Sequence, residues 1–278
     1  MNWHKWLIIP AFGVLVACTS STQEGSIGIQ RKQLLLLPSS QVDAMALQSY
    51  RGELSNAKQK GTLNTDKVNL ERIRKIADRL IPQVAVFRRD ALDWSWEVNL
   101  ETRNELNAYC ASGGKIMFFT GIINQLKLTD DEIAAIMGHE MAHALREHGR
   151  ERISQAYAQQ AGMSLLAMVT NMSQQQAAIV QTATNLALTL PHGRGQESEA
   201  DVMGLELLAR AGYNPNASVS LWQKMGAANK NAPPAFLSTH PSSAQRINEL
   251  NSKISTVLPL YEAAKRNTTS VKMIVPRI

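Results

Sequence analysis

Residues 128–149, LTDDEIAAIMGHEMAHALREHG, constrain the fold more than any other stretch of the chain. Thr129 followed three residues later by Glu132 makes a capping box, and Asp130 and Asp131 in the first turn suit the positive end of a helix dipole. A helix therefore starts here. Ile133, Ile136 and Met137 give it the apolar residues of a helix that crosses a core. Within it, His139 and His143 are four residues apart, so both imidazoles leave one face a single turn apart and can meet one metal ion. Glu140 lies about 100° round the helix from His139. It can reach a water on that ion without being a ligand, and zinc lowers the pKa of such a water towards ~7. The pattern predicts a zinc cofactor, His139 and His143 as its ligands and Glu140 as general base.

A catalytic zinc takes three protein ligands and keeps a fourth position open. His148, nine residues after His139, would lie half a turn away on a continuous helix, and Arg146 stands where the longer zinc consensus of the metzincins has a glycine. His148 therefore reads as a helix-end residue or a support for a ligand. The segment QESEAD is a better source of the third ligand. Glu197 and Asp201 share a helical face, so one carboxylate could bind the metal while the other orients a ligand histidine. Glu199, two residues on, points elsewhere.

With 278 residues and 44% apolar composition, the chain can bury one domain with appendages. The net charge of +6 comes without a clustered basic stripe, which excludes a nucleic-acid partner. Residues 1–17 read as a signal peptide, with Lys5 ahead of an apolar stretch too short to span a membrane. The stretch ends in LVAC, which resembles a lipobox and predicts lipidation of Cys18. Thr19 rather than Asp after that cysteine points to the outer membrane, so the expected placement is lipid-anchored and periplasmic in a Gram-negative bacterium. Cys110 is then the one remaining thiol, and no intramolecular disulfide forms. Residues 18–40 suit a tether, with the run of leucines from Leu34 as a short strand against the domain. Two helices follow, the second capped by Thr65 or Asp66. Trp94, Trp96 and Val98 alternate as in a strand, and two more strands flank a Gly113-Gly114 turn. Long helices rich in Ala, Gln and Met come after residue 150. A helix ends at Gly212 with Pro215 beyond it, and the last one is capped by Ser242 or Ser243. The domain is expected over residues 41–255 and an extended tail over 256–278. The fold class is α+β, mostly helical with a small antiparallel sheet beside the histidine helix.

HEMAH, then ESEAD some fifty residues later, then THPSSAQR, resemble in this order the zinc peptidase family of HtpX, the CAAX prenyl protease and the mitochondrial Oma-type protease. Its periplasmic lipoprotein members LoiP and BepA look closest, and the likeness runs from about residue 65 to 252. The resemblance implies a zincin-like fold of gluzincin type, with Glu197 as third ligand and Asp201 behind it. It places His240 near the metal, to stabilise the oxyanion or to cover the zinc, and gives Arg246 a structural ion pair. It also implies that Asn107, Ala108 and Tyr109 form an edge strand binding substrate backbone. His192 and Gly193 depart from the aromatic and serine of close relatives, so His192 reads as loop or an extra ligand. The implied function is a zinc endopeptidase acting on misfolded or misassembled envelope polypeptides. The alternative is a chaperone-like periplasmic lipoprotein that binds unfolded outer-membrane proteins, its site latched or vestigial.

Overall fold

The computed structural model describes residues 18–170, 193–228, 235–241 and 244–272. The signal-peptide residues 1–17, His192 and the Ser242 or Ser243 cap lie outside the described residues. Two short strands, β1 (Cys18–Thr19) and β2 (Gln33–Leu34), pair antiparallel ahead of helix α1 (Ser39–Gln59). Helix α2 (Lys67–Leu80) begins at Asp66, whose side chain accepts the Asn69 amide, and buries Leu70, Ile73, Ile76 and Leu80 on one stripe. Two 3₁₀ turns, Ile81–Val86 and Arg89–Asp93, lead to β3 (Glu97–Glu101), β4 (Ala108–Ala111) and β5 (Lys115–Phe119). Trp94 and Trp96 precede β3 and pack against the core from its rim.

The sheet is mixed, not antiparallel as expected. Its order is β3-β5-β4, with β4 antiparallel to β5 through the Gly113-Gly114 turn and β3 parallel to β5. Alternating apolar residues identify a strand but not its direction. The hairpin places β5 in the middle, and the short 102–107 link carries the chain across it. Among the described residues β4 therefore pairs on one side only.

Helices α3 (Thr120–Gln125) and α4 (Asp130–Leu145) follow, and α4 carries the expected capping box between Thr129 and Glu132. Every residue of α4 from Glu132 onward is buried, as its sequence requires of a helix through a core. Helix α5 (His148–Thr170) leaves at a break where Glu147 takes φ 51°, a left-handed conformation uncommon for a residue with a side chain. Ion pairs from Glu147 to Arg88 (3.2 Å) and Arg150 (2.7 Å) hold that conformation. Helices α6 (Arg194–Arg210), α7 (Asn216–Ala228), α8 (Ala235–Thr239) and α9 (Ala244–Lys272) complete the described chain. The tail expected to be extended is helical to Lys272, through Pro259. Val257 buried in the core and Leu260 and Tyr261 packed against it keep the helix going where the proline removes one hydrogen bond.

α4 and α6 meet at Gly138 and Gly204. A Cβ on Gly204 would stand 2.7 Å from the His139 amide nitrogen, and one on Gly138 would stand 3.0 Å from the Gly204 carbonyl oxygen. Only glycine lets the two backbones approach this closely, and the contact sits beside His139 and one turn from Asp201. Residues 20–38 lie against the domain. Ile27, Ile29 and Leu35 are buried in or beside its core, and Ser26 and Ile27 donate their amides to Glu206. No helix among the described residues is long and apolar enough to cross a membrane.

Candidate metal centre

α4 supplies His139, Glu140 and His143, α6 supplies Glu197 and Asp201, and the residue following α8 is His240. All six are buried. His139, His143, Glu197 and His240 each offer one ligand atom, and these four atoms lie within 4.8 Å of one another. His139 Nε2 is 3.1 Å from His143 Nε2 and 3.3 Å from His240 Nδ1. Glu197 Oε1 is 3.3 Å from His143 Nε2 and 3.0 Å from His240 Nδ1, and Glu197 Oε2 is 3.6 Å from His139 Nε2. Ligand bonds of about 2.0–2.1 Å in a tetrahedron imply edges of roughly 3.3 Å, so these separations fit zinc.

The second ring nitrogens support the same conclusion. His139 Nδ1 stands 3.1 Å from Asp201 Oδ1, and His143 Nδ1 stands 2.8 Å from His148 Nδ1. With protons on those outer nitrogens, both Nε2 atoms present lone pairs to each other and to a carboxylate. Such mutually repelling acceptors belong together around a cation. His148 passes the arrangement on, its Nε2 lying 3.0 Å from Glu199 Oε2.

Arg246 bridges the carboxylates. Its Nε and Nη2 donate to Asp201 at 2.6 and 2.7 Å, and its Nη1 is 2.8 Å from Glu197 Oε2. The Arg246 guanidinium also lies over the Trp222 ring, 3.8 Å from its centroid. Burial alone would raise the Asp201 carboxyl, but the Arg246 charge and hydrogen bonds bring it below the usual carboxylate range. Glu197 is likewise driven far down against its burial by His143, His240 and His139. Glu140 differs from both. Burial pushes its pKa up against the charges of His240 and His139, and the Cys110 amide of β4 donates to it. Among the described residues Glu140 Oε1 has no hydrogen-bond partner, with His240 Nε2 3.5 Å away. A buried carboxylate of raised basicity beside a cation site is suited to taking a proton.

A cleft of about 480 Å³ opens beside this group. β4 and the residues flanking it form one wall, so Asn107, Ala108 and Tyr109 all line it, together with Glu140, His143 and His240. Asn107 accepts the Ala108 amide through Oδ1 (3.0 Å), and Tyr109 donates its hydroxyl to Glu53. The structure thus brings together His139, Glu140, His143, Glu197, Asp201 and His240 from three separate stretches. Cys110, expected to be packing, is buried with its thiol pKa raised well above its ordinary value by burial. Cys18 pairs with Leu34 through its backbone. Sequence reasoning missed the support given by Glu199 to His148 and the stacking of Trp222 under Arg246. No spacing rule links residues that far apart in the chain.

The model of peptidase family M48 matches residues 68–254. The mitochondrial metalloendopeptidase OMA1 of Schizosaccharomyces pombe is 37% identical over 180 residues, 64% of this chain and 50% of that protein. Its counterpart in Arabidopsis thaliana is 35% identical over 180 residues, 64% of this chain and 36% of that protein. A beta-barrel assembly-enhancing protease of Yersinia pestis is 24% identical over 187 residues, 63% of this chain and 37% of that protein. The chain thus spans between about a third and a half of these relatives. One expectation is overturned. The periplasmic, lipid-anchored, outer-membrane placement rested on the leader and on the LoiP and BepA likeness. The relatives at the higher identities are instead mitochondrial proteins of eukaryotes, and the bacterial proteases match less closely.

Proposed function

The chain belongs to peptidase family M48, and from that premise we propose that it is a zinc-dependent endopeptidase that cleaves unfolded or misassembled polypeptides. The observation that carries this reading is the convergence of His139, His143 and Glu197 with Glu140 on one buried point at the end of an open cleft. His139 Nε2, His143 Nε2 and the Glu197 carboxylate would hold zinc, which when bound would supply Lewis-acid polarisation and an acidified water. Glu140 Oε1 takes the proton and returns it to the leaving amine. Its burial and the Cys110 amide hold its carboxylate in one orientation. Asp201 and His148 keep the proton of each ligand imidazole on the outer nitrogen, and Arg246 holds Asp201 and Glu197 in place.

β4 supports an extended substrate. A strand paired on one side offers backbone groups at Asn107, Ala108 and Tyr109 to any sequence able to extend along it, and only unfolded chain can do so. The same site holds His240 as a fourth donor, in the position a catalytic zinc keeps open. His240 would cover a metal held by the other three residues, and the segment of α8 would have to withdraw before substrate enters.

Glu140→Gln is the test. The variant is expected to keep its fold and one zinc per chain, read by circular dichroism and metal analysis, while cleavage of casein falls by ~10²-fold or more. Undiminished cleavage would remove Glu140 from the reaction. A chaperone-like binder, the other reading, is distinguished by holding unfolded protein equally well with either residue and cleaving with neither.

A further inference from the structure

The cleft beside the metal group has an α1 wall of Val42, Met45 and Ala46, and an α5 wall of Ile153 with two arginines. The arginines differ. Arg150 is compensated, its Nε donating to the Leu37 carbonyl at 2.6 Å and its Nη1 to Glu147 at 2.7 Å. Arg152 makes no hydrogen bond and no ion pair among the described residues, although it lines the cleft and is half-buried. Burial pulls its pKa down, and only the charge of Glu197 works against that. It stands four residues after His148, one turn along the helical face that meets His143.

The acids of the cleft do not answer this charge. Glu147 is shared among Ser39, Arg88 and Arg150, and Glu140 accepts the Cys110 amide and faces His240 Nε2 at 3.5 Å. Glu197, which does not line the cleft, is engaged by Arg246 and the histidines. Among the described residues lining the cleft, the cation left for an incoming chain is the Arg152 guanidinium. A partly desolvated charge without a partner is unfavourable, and binding a group that supplies one recovers that free energy. A planar guanidinium fork matches the two oxygens of a carboxylate.

We infer that Arg152 is a specificity-determining residue that binds a carboxylate of the polypeptide lying along β4, directing cleavage to bonds near an acidic side chain or a free C-terminus. This rests on the peptidase reading. The probes are synthetic peptides sharing one cleavable core, with Asp or Glu scanned through the flanking positions, matched Asn or Gln versions, and free or amidated C-termini. The metal-loaded protein is expected to show kcat/KM ~10-fold or more higher for a carboxylate than for its amide at one position, worth about one charge-assisted pair. Arg152→Ala should bring that ratio to about one, Arg152→Lys should retain part of it, and Arg152→Glu should invert it in favour of lysine. A preference confined to internal acids, or to free C-termini, identifies the source of the carboxylate. Binding of the same peptides to Glu140→Gln, with and without Arg152→Ala, is measured by fluorescence anisotropy. Absence of turnover by the wild type would then count against the peptidase reading, while the binding ratio still decides the role of Arg152. A ratio of about one in the wild-type protein, no preference in binding, or a preference that survives Arg152→Ala overturns the inference.

Discussion

Nδ1 of His240 stands 3.0 Å from Glu197 Oε1 and 3.3 Å from His139 Nε2, so at the scale of single residues this imidazole is the fourth corner of the group proposed to hold zinc. Its hold is local. Helix α8 is five residues long, and Phe236 ties it to the body through its amide to the Leu106 carbonyl at 3.0 Å. If His240 covers the metal, His240→Ala removes a competitor, and casein cleavage should rise by about tenfold, the effect of a population shift of one decade. A fall of ~10²-fold or more would instead place the imidazole at the oxyanion and refute the cover. The four-residue spacings of His139 with His143 and of Glu197 with Asp201 were legible in the sequence, because helical periodicity decides which neighbours share a face. Which acid faces the metal was not, and rested on family resemblance. His148, expected as a helix-end residue or a support for a ligand, stands at the start of α5 beside His143 for a definite reason. A continuous helix would send it half a turn away, whereas the break at Glu147 brings it back to within 2.8 Å of His143.

Between elements, the α4 and α6 crossing at Gly138 and Gly204 decides whether four side chains reach one point. Gly204→Ala puts a methyl 2.7 Å from the His139 amide nitrogen, against backbone that cannot rotate away. The helices must separate, and the expected result is a loss of ~1–3 kcal/mol of stability, as for overpacking elsewhere. Zinc affinity should fall with it, since the Glu197 and Asp201 carboxylates retreat from the imidazoles. Denaturant unfolding and chelator competition on the same sample measure both, and an unchanged zinc affinity would show that the crossing does not set the site. The capped start of α4 was readable because Thr129, Asp130, Asp131 and Glu132 are local signals. The direction of β3 was not, since alternation is the same for parallel and antiparallel strands. Helix α9 passes Pro259 because Val257, Leu260 and Tyr261 find partners on other elements, which no local rule weighs.

The whole molecule is closed by its N-terminal stretch, which the composition suggested would be a tether. Ile27 is buried from a turn at residues 25–28, and Ile29, Gln33 and Leu35 are buried at odd positions beyond it, a pattern that polar Arg31 and Gln33 masked in the sequence. Arg31 pairs with Glu151 at 2.5 Å and with Glu199 at 2.8 Å. Arg146, fully buried, joins Glu199 at 3.0 Å and donates to Ser20 at 2.8 Å, so one cluster fastens residues 20–33 to the helices behind the metal. Burial alone would raise Glu199, but His148, Arg31 and Arg146 hold its pKa at about 2, below its ordinary 4.5. A depressed folded-state pKa stabilises above the unfolded value and is lost as pH falls through the folded one, so this contribution is complete above pH ~4.5 and gone near pH ~2. At ~1.4 kcal/mol per unit it amounts to about 3 kcal/mol, an upper figure because Arg31 is partly exposed. Glu147 and Glu151 are also held low and add to the same acid-side loss. Glu199→Gln should therefore unfold at lower denaturant than wild type at pH 7, with the gap shrinking between pH 5 and pH 2. Limited proteolysis should find residues 20–33 more exposed in the variant at neutral pH, and in wild type once acidified. Equal separation of the two unfolding midpoints at pH 7 and pH 2.5 would mean that Glu199 contributes packing rather than charge, and that the N-terminal stretch is held by its isoleucines alone.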